Sequence, residues 1–165
     1  MQIPQLSYSY APPAAVAGQL ATTSTGKETS TGLAEAACSA GLFLVGGTAT
    51  YQVKKPALSG DVTGKLRGVA CYVAVKEPVG PVGGPYLPNF KAGDAVPVLK
   101  KGQVWVPVAA ADVADDAIPY VIFSGDDAGK IRGTTDASAV QPTAGVKVIQ
   151  GAAAGCLALV DLNLP

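Results

Sequence analysis

Between residues 42 and 162 the chain is written in short apolar runs, each closed by glycine, proline or a small polar cluster, and no long segment with a 3.6-residue period intervenes. That punctuation restricts the fold more than any other feature. The strand candidates are residues 42–45, 50–54, 67–75, 95–99, 103–108, 118–123, 130–134, 146–150 and 156–162. Nine short strands with turn chemistry between them predict an all-β fold, a small β-barrel or a jelly-roll-like β-sandwich, and argue against βαβ units. Residues 33–40, LAEAACSA, fit either two turns of helix or a strand leading into Leu42.

The strongest local pattern is AVPVLKKGQVWVPV, residues 95–108. With Lys100-Lys101-Gly102 as a three-residue loop and Gly102 left-handed, it reads as a hairpin pairing Val98 with Val104 and Val96 with Val106. Val96, Val98, Val104, Val106 and Val108 then form one face, and Pro97, Trp105, Pro107 and Gln103 the other. A proline cannot donate to a ladder, so Pro97 and Pro107 are expected at sheet edges. In the run 67–75, alternation of Val69, Cys71, Val73 and Val75 predicts a second buried face.

A chain of 165 residues can bury roughly two thirds of its unfolded surface without disulfides. Its hydrophobic content of 48% is mostly Ala and Val, with three Phe, one Trp and six Tyr for large volumes, and its 20 Gly and 13 Pro suit tightly turned sheets. Three widely separated cysteines, Cys38, Cys71 and Cys156, offer neither a disulfide framework nor zinc spacing, and read as buried free thiols in a chain made in a reducing cytoplasm. The first lysine is Lys27 and prolines interrupt the preceding segment, so no secretory signal is expected, and no apolar run is long enough for a membrane span.

Histidine is absent, which removes the commonest general base and metal ligand, and the remaining carboxylates match no calcium-loop spacing. Asp112, Asp115, Asp116, Asp126, Asp127 and Asp136 therefore read as solvated turn residues. Residues 125–131, GDDAGKI, approach a phosphate loop but are one residue short and carry Ile131 where a Ser or Thr would hold magnesium. Residues 151–155, GAAAG, read as a turn between the last two strands. An enzyme is not expected, and neither is a cofactor or a metal. Twelve basic and twelve acidic residues leave no net charge with which to neutralise several phosphates, so nucleic acid is not an expected partner.

The N-terminal 32 residues hold two charges, Lys27 and Glu28, and no sustained period. They read as an extended arm, with residues 1–40 as arm and lead-in and 41–165 as the β body. Ordering such a segment costs about 1–2 kcal/mol per residue, so a partner surface is needed to hold it. Ile3, Leu6, Tyr8, Tyr10, Val16 and Leu20 are the candidate anchors. Residues 77–89, EPVGPVGGPYLPN, form a punctuated loop that is either a connector or a contact with Tyr86 and Leu87 at its tip.

Several segments together resemble the capsid cement, or decoration, proteins of tailed bacteriophages. They are YAPPAAVAGQLA at 10–21, AGLFLVGGT at 40–48, KAGDAVPV at 91–98 followed by GQVWV at 102–106, and GAAAGCLALV at 151–160. The resemblance implies a non-enzymatic virion protein, synthesised in the host cytoplasm, on the outer surface of the capsid. Its implied partners are the major capsid protein and itself, as a symmetric dimer or trimer, with no nucleic acid and no membrane. Arm, loop and hairpin would make the contacts, with Pro97, Trp105 and Pro107 as a docking face, although Trp105 fits core and anchor equally. A head-fibre or carbohydrate- or receptor-binding β-module on the virion surface is the competing reading.

Overall fold

The computed structural model describes residues 15–21, 26–73, 89–143 and 145–165. Twelve strands and one short helix follow in chain order: β1 (Glu28–Ala34), β2 (Cys38–Ser39), β3 (Phe43–Gly46), β4 (Gln52–Lys54), α1 (Ser59–Gly64), β5 (Leu66–Ala70), β6 (Asn89–Phe90), β7 (Ala95–Pro107), β8 (Tyr120–Ile122), β9 (Ile131–Arg132), β10 (Ala139–Val140), β11 (Val146–Gln150) and β12 (Leu157–Asn163). The largest sheet has the order β1-β4-β3-β5-β7-β12-β11, and β1 also pairs with β7. That extra pairing closes five strands into a small barrel, and β12 and β11 continue from it as an open flap. Of the two expected architectures, the barrel is the one that forms.

Two cores follow from this closure. Inside the barrel lie Ala34, Leu44, Val53, Ala70, Val96 and Val98, one or more from each barrel strand, stoppered by Cys38 and Phe90 of the β2–β6 pair. Outside it, Phe43, Val69 and Leu99 point the other way and meet Val104 and Val106 at the far end of β7, Val108 just past it, and Val148, Ala158, Val160 and Leu162 of the flap. The three-stranded sheet β10-β8-β9 covers this second core with Val121 and Ile131, both fully buried. Each such side chain contributes about 1.5–3 kcal/mol on burial. The small Ala and Val content matches a barrel too narrow for large interiors.

The hairpin expected at 95–108 is instead one continuous strand of 13 residues. Gly102 has the expected positive φ, +117°, but no turn forms there. Partner strands on both sides decide this: Glu28 opposes Lys101 from β1, and Asp161, Leu162 and Asn163 of β12 oppose Gln103, Gly102 and Lys101. The register against β1 slips between Glu28/Thr29 and Lys101/Leu99, leaving Lys100 as an extra residue. This bulge flips the alternation. Before it Val96 and Val98 face the barrel interior and Leu99 the outer core; after it Val104, Val106 and Val108 face the outer core as well. All five expected valines are buried, but in two cores.

The prolines are not on an edge strand, because β7 has neighbours on both sides. Their missing donors fall where those neighbours end. Cys71 N–H donates to Pro97 O over 2.8 Å, so the Pro97 nitrogen faces the line of β5 beyond its last residue, Ala70. On the other half, residues 17–21 flank β7, and Pro107 lies past their last bond, from Gly18 to Trp105.

Other expectations change in detail. Residues 33–40 contain no helix, and the one helix among the described residues, α1, falls at Ser59–Gly64, where the buried Asp61 carboxylate accepts from the amides of Ala57 and Leu58 at 3.2 Å each. Cys38 and Cys71 are buried free thiols as expected, whereas Cys156, in the turn before β12, is exposed. Val69 and Cys71 share the outer core, but Val73 packs on the barrel core, because β5 ends at Ala70 and the alternation stops with it.

Candidate functional site

Among the described residues no group of three or more Cys, Asp or Glu side chains could hold a metal ion. The aspartates serve turns. Asp112 Oδ1 accepts from Ala154 N–H at 2.9 Å and Asp115 Oδ1 from Gly151 N–H at 2.6 Å, which fastens the loop after β7 to the turn at 151–155. Asp116 pairs with Lys147 and Asp127 with Lys130, each at 2.6 Å. In the 125–131 segment Lys130 is thus held by its own loop's carboxylate, and the backbone folds on itself through Ala128 to Gly125 and Lys130 to Asp127 bonds.

The surface that collects sequence-predicted contact residues is built on the flap half of β7. Trp105 and Pro107 alternate with buried Val104 and Val106, so they lie on the opposite face, each half-buried. Register places Leu159 opposite Trp105 and Leu157 opposite Pro107, both also half-buried. Four apolar side chains therefore sit in two cross-strand pairs on one sheet face, a spacing at which such pairs touch. Leu157 and Leu159 escaped the sequence reading, although their alternation with buried Ala158, Val160 and Leu162 carries the signal. Asp161 continues that row as its polar end.

Pro97 does not belong to this face. It shares the parity of Leu99, outside the barrel, and opposes exposed Thr31 of β1, whereas the bulge at Lys100 sends Trp105 and Pro107 to the other side. The expected single Pro97/Trp105/Pro107 face is thus split in two by one extra residue.

The described parts of the first 40 residues lie on the body. Gly18 N–H donates to Trp105 O at 2.7 Å, Trp105 N–H to Gln19 O at 3.1 Å, and Ala21 N–H to Gln103 O at 3.0 Å. Leu20 bridges Val104 and packs against the outer core, so its side chain is used by the body itself; Val16 is half-buried. Residues 28–34 are the strand that closes the barrel. Ile3, Leu6, Tyr8, Tyr10, Tyr86 and Leu87 lie outside the described residues.

A second feature, with no counterpart in the sequence reading, is the mouth of the barrel at the β3–β4 turn. A pocket of about 170 Å³ there is lined by Ser30, Gly32, Tyr51, Val53, Arg67 and Lys100 among others. Two cationic side chains line it and no carboxylate does.

A family model described as "Structural cement protein (E217 gp24/Pam3 gp6)" matches residues 3–163. Among solved structures, the chain is similar to one from "The capsid of Myoviridae Phage XM1", with a TM-score of 0.64, 19% identity and 99% of this chain and 98% of that chain covered. A weaker likeness, with a TM-score of 0.42, 16% identity and 82% and 93% coverage, is to "The crystal structure of head fiber gp8.5 N base in bacteriophage phi29". Comparison with curated proteins finds no match.

Proposed function

The chain belongs to the phage structural cement protein family, and on that premise we propose that it binds the outer surface of the assembled major-capsid-protein lattice and holds neighbouring capsid subunits together. Its role is structural, the stabilisation of the phage head. The match over residues 3–163 carries this reading, because it spans barrel, flap and all but the first two residues of the N-terminal segment. The head-fibre and glycan-binding alternative is not favoured; among the described residues the exposed Tyr51 and Tyr72 and the half-buried Trp105 sit on separate elements.

Capsid contact is assigned to the Trp105, Pro107, Leu157 and Leu159 face, to residues 1–14 with Ile3, Leu6, Tyr8 and Tyr10, and to Tyr86 and Leu87. A half-buried tryptophan ringed by aliphatic groups is the residue type that dominates interface energetics. Residue 14 is four residues before Gly18, whose amide bonds to the Trp105 carbonyl, so arm and face can act on one partner. The protein acts without cofactor, metal or catalysis, away from the packaged nucleic acid, as a symmetric homo-oligomer.

The test is addition of purified protein to expanded capsids that lack it. Co-sedimentation and a higher capsid disruption temperature are expected. Failure to co-sediment, with an unchanged disruption temperature, refutes the assignment.

A further inference from the structure

The zero net charge conceals a division along the chain. Residues 1–108, which build the barrel and all of β7, carry nine Lys or Arg and five Asp or Glu; residues 109–165 carry three and seven. The first part is therefore +4 and the second −4. Ion pairs within each part leave specific charges over. Around the barrel Lys54 pairs with Glu35, Lys65 with Asp61 and Lys101 with Glu28. Arg67, exposed, has no carboxylate within ion-pair distance among the described residues, and Lys100 Nζ bonds to the carbonyl oxygen of Pro165 at 3.3 Å. Both line the barrel mouth, beside Tyr51, which is 77% exposed.

Beyond β7 the counterpart is the exposed loop holding Asp112 and Asp115. Each accepts one backbone N–H through Oδ1 and has no cationic partner among the described residues; Lys147, on the neighbouring strand, is taken by Asp116. The acidic loop starts past Val108 and the basic mouth lies at Lys100. Val108 and Lys100 are eight residues apart, about 26 Å of extended strand, Asp112 and Asp115 are fastened to the turn at 151–155, and no ion pair among the described residues joins the two groups within one molecule.

We propose that the barrel mouth, through Arg67 and Lys100, receives the Asp112/Asp115 loop of a second copy of this chain, so that copies associate by complementary charge. This rests on the self-association proposed above and names its contact. An arginine and a lysine lining one small pocket with no carboxylate suit an incoming carboxylate, and Tyr51 lines the same pocket. The contact joins two different patches, and it closes into a symmetric assembly wherever each mouth meets a neighbour's loop. Because each molecule is neutral overall, close spacing brings no bulk repulsion to oppose it.

Sedimentation velocity on the full chain tests this, at an ionic strength of about 0.01 M, where charges act over about 30 Å, and about 1 M, where they act over about 3 Å. The expected result is self-association at low salt that weakens about tenfold or more at high salt. The R67E/K100E variant, with its melting temperature checked against wild type, should be monomeric at both. D112N/D115N keeps the two side-chain oxygens that cap the turn and should lose association equally. Mixing R67E/K100E with D112K/D115K should restore it.

If wild type is monomeric at both ionic strengths and binds capsids as single copies, self-association itself fails and this contact with it. If R67E/K100E associates like wild type, the association stands and the contact is overturned. Should R67E/K100E associate like wild type yet no longer bind capsids, the mouth belongs to the capsid, and a second copy is the wrong occupant.

Discussion

Gly18 donates its amide to the carbonyl of Trp105 over 2.7 Å, and through that bond the end of the N-terminal segment is stitched along the central strand of the body. Trp105 returns a bond to Gln19, and Leu20 turns into the core beside Val104. The residue most suited to anchor a partner is thereby held by its backbone on both edges, by residues 18–19 and by β12.

This arrangement separates two truncations. Removing residues 1–14 leaves every bond from Gly18 onward in place, so the protein should melt as before while capsid co-sedimentation weakens by about tenfold or more, equivalent to losing at least about 1.4 kcal/mol of contact. Removing residues 1–30 also takes Leu20 and the first three residues of β1, and should give an unstable or insoluble chain. Unchanged capsid binding by the shorter truncation would refute the arm as a contact.

Trp105→Ala should separate interface from core. A tryptophan deleted from a core costs about 3–5 kcal/mol. Trp105 is half-buried on the face opposite the outer core, so a loss of about 1–2 kcal/mol in denaturant unfolding is expected, along with a clear loss of capsid binding. A core-sized loss would return Trp105 to a packing role.

Gly68 is where the barrel tolerates least. Its φ is +140°, and a Cβ would collide with the carbonyl of Leu99 on β7. Strain and overpacking each cost about 1–3 kcal/mol, so Gly68→Ala should lower stability by about 3 kcal/mol or more, read as a shifted urea midpoint. The substitution would leave the surface chemistry untouched, so residual folded protein should still bind capsids.

The thiols should differ in their response to pH and to reagents, beginning with Cys71. Burial pushes the Cys71 thiol up to about 11 from 9.0, with a weaker opposing bond from the Leu99 backbone. A folded pKa above the unfolded one means the folded state holds its proton longer, so this contribution to stability is complete below pH 9 and is lost as pH rises towards 11. Cys71→Ala should remove that part of the alkaline slope in unfolding titrations, about 1.4 kcal/mol per pH unit within the window. Under native conditions a thiol reagent should label Cys156 alone, with Cys38 and Cys71 reacting only on unfolding.

Composition, punctuation and two-residue alternation in the sequence determined that this is a strand protein, and they marked the body strands and the buried valines of β7. Those signals are local: a side chain's parity and a glycine's freedom are properties of a few adjacent residues. Strands such as β1 were not legible, because Glu28-Thr29-Ser30-Thr31 is polar and exposed and is a strand only through its pairing with β7. Only the tertiary structure decided that Gly102 bends a continuous strand and does not end one, since the long-range partners β1 and β12 satisfy Lys101 to Gln103 more fully than a local hairpin would. The same non-local pairing placed the bulge at Lys100, divided Pro97 from Trp105, and brought Arg67 and Lys100 to one barrel mouth. Which residues share a surface depends on register between distant segments, and register is set when the barrel closes.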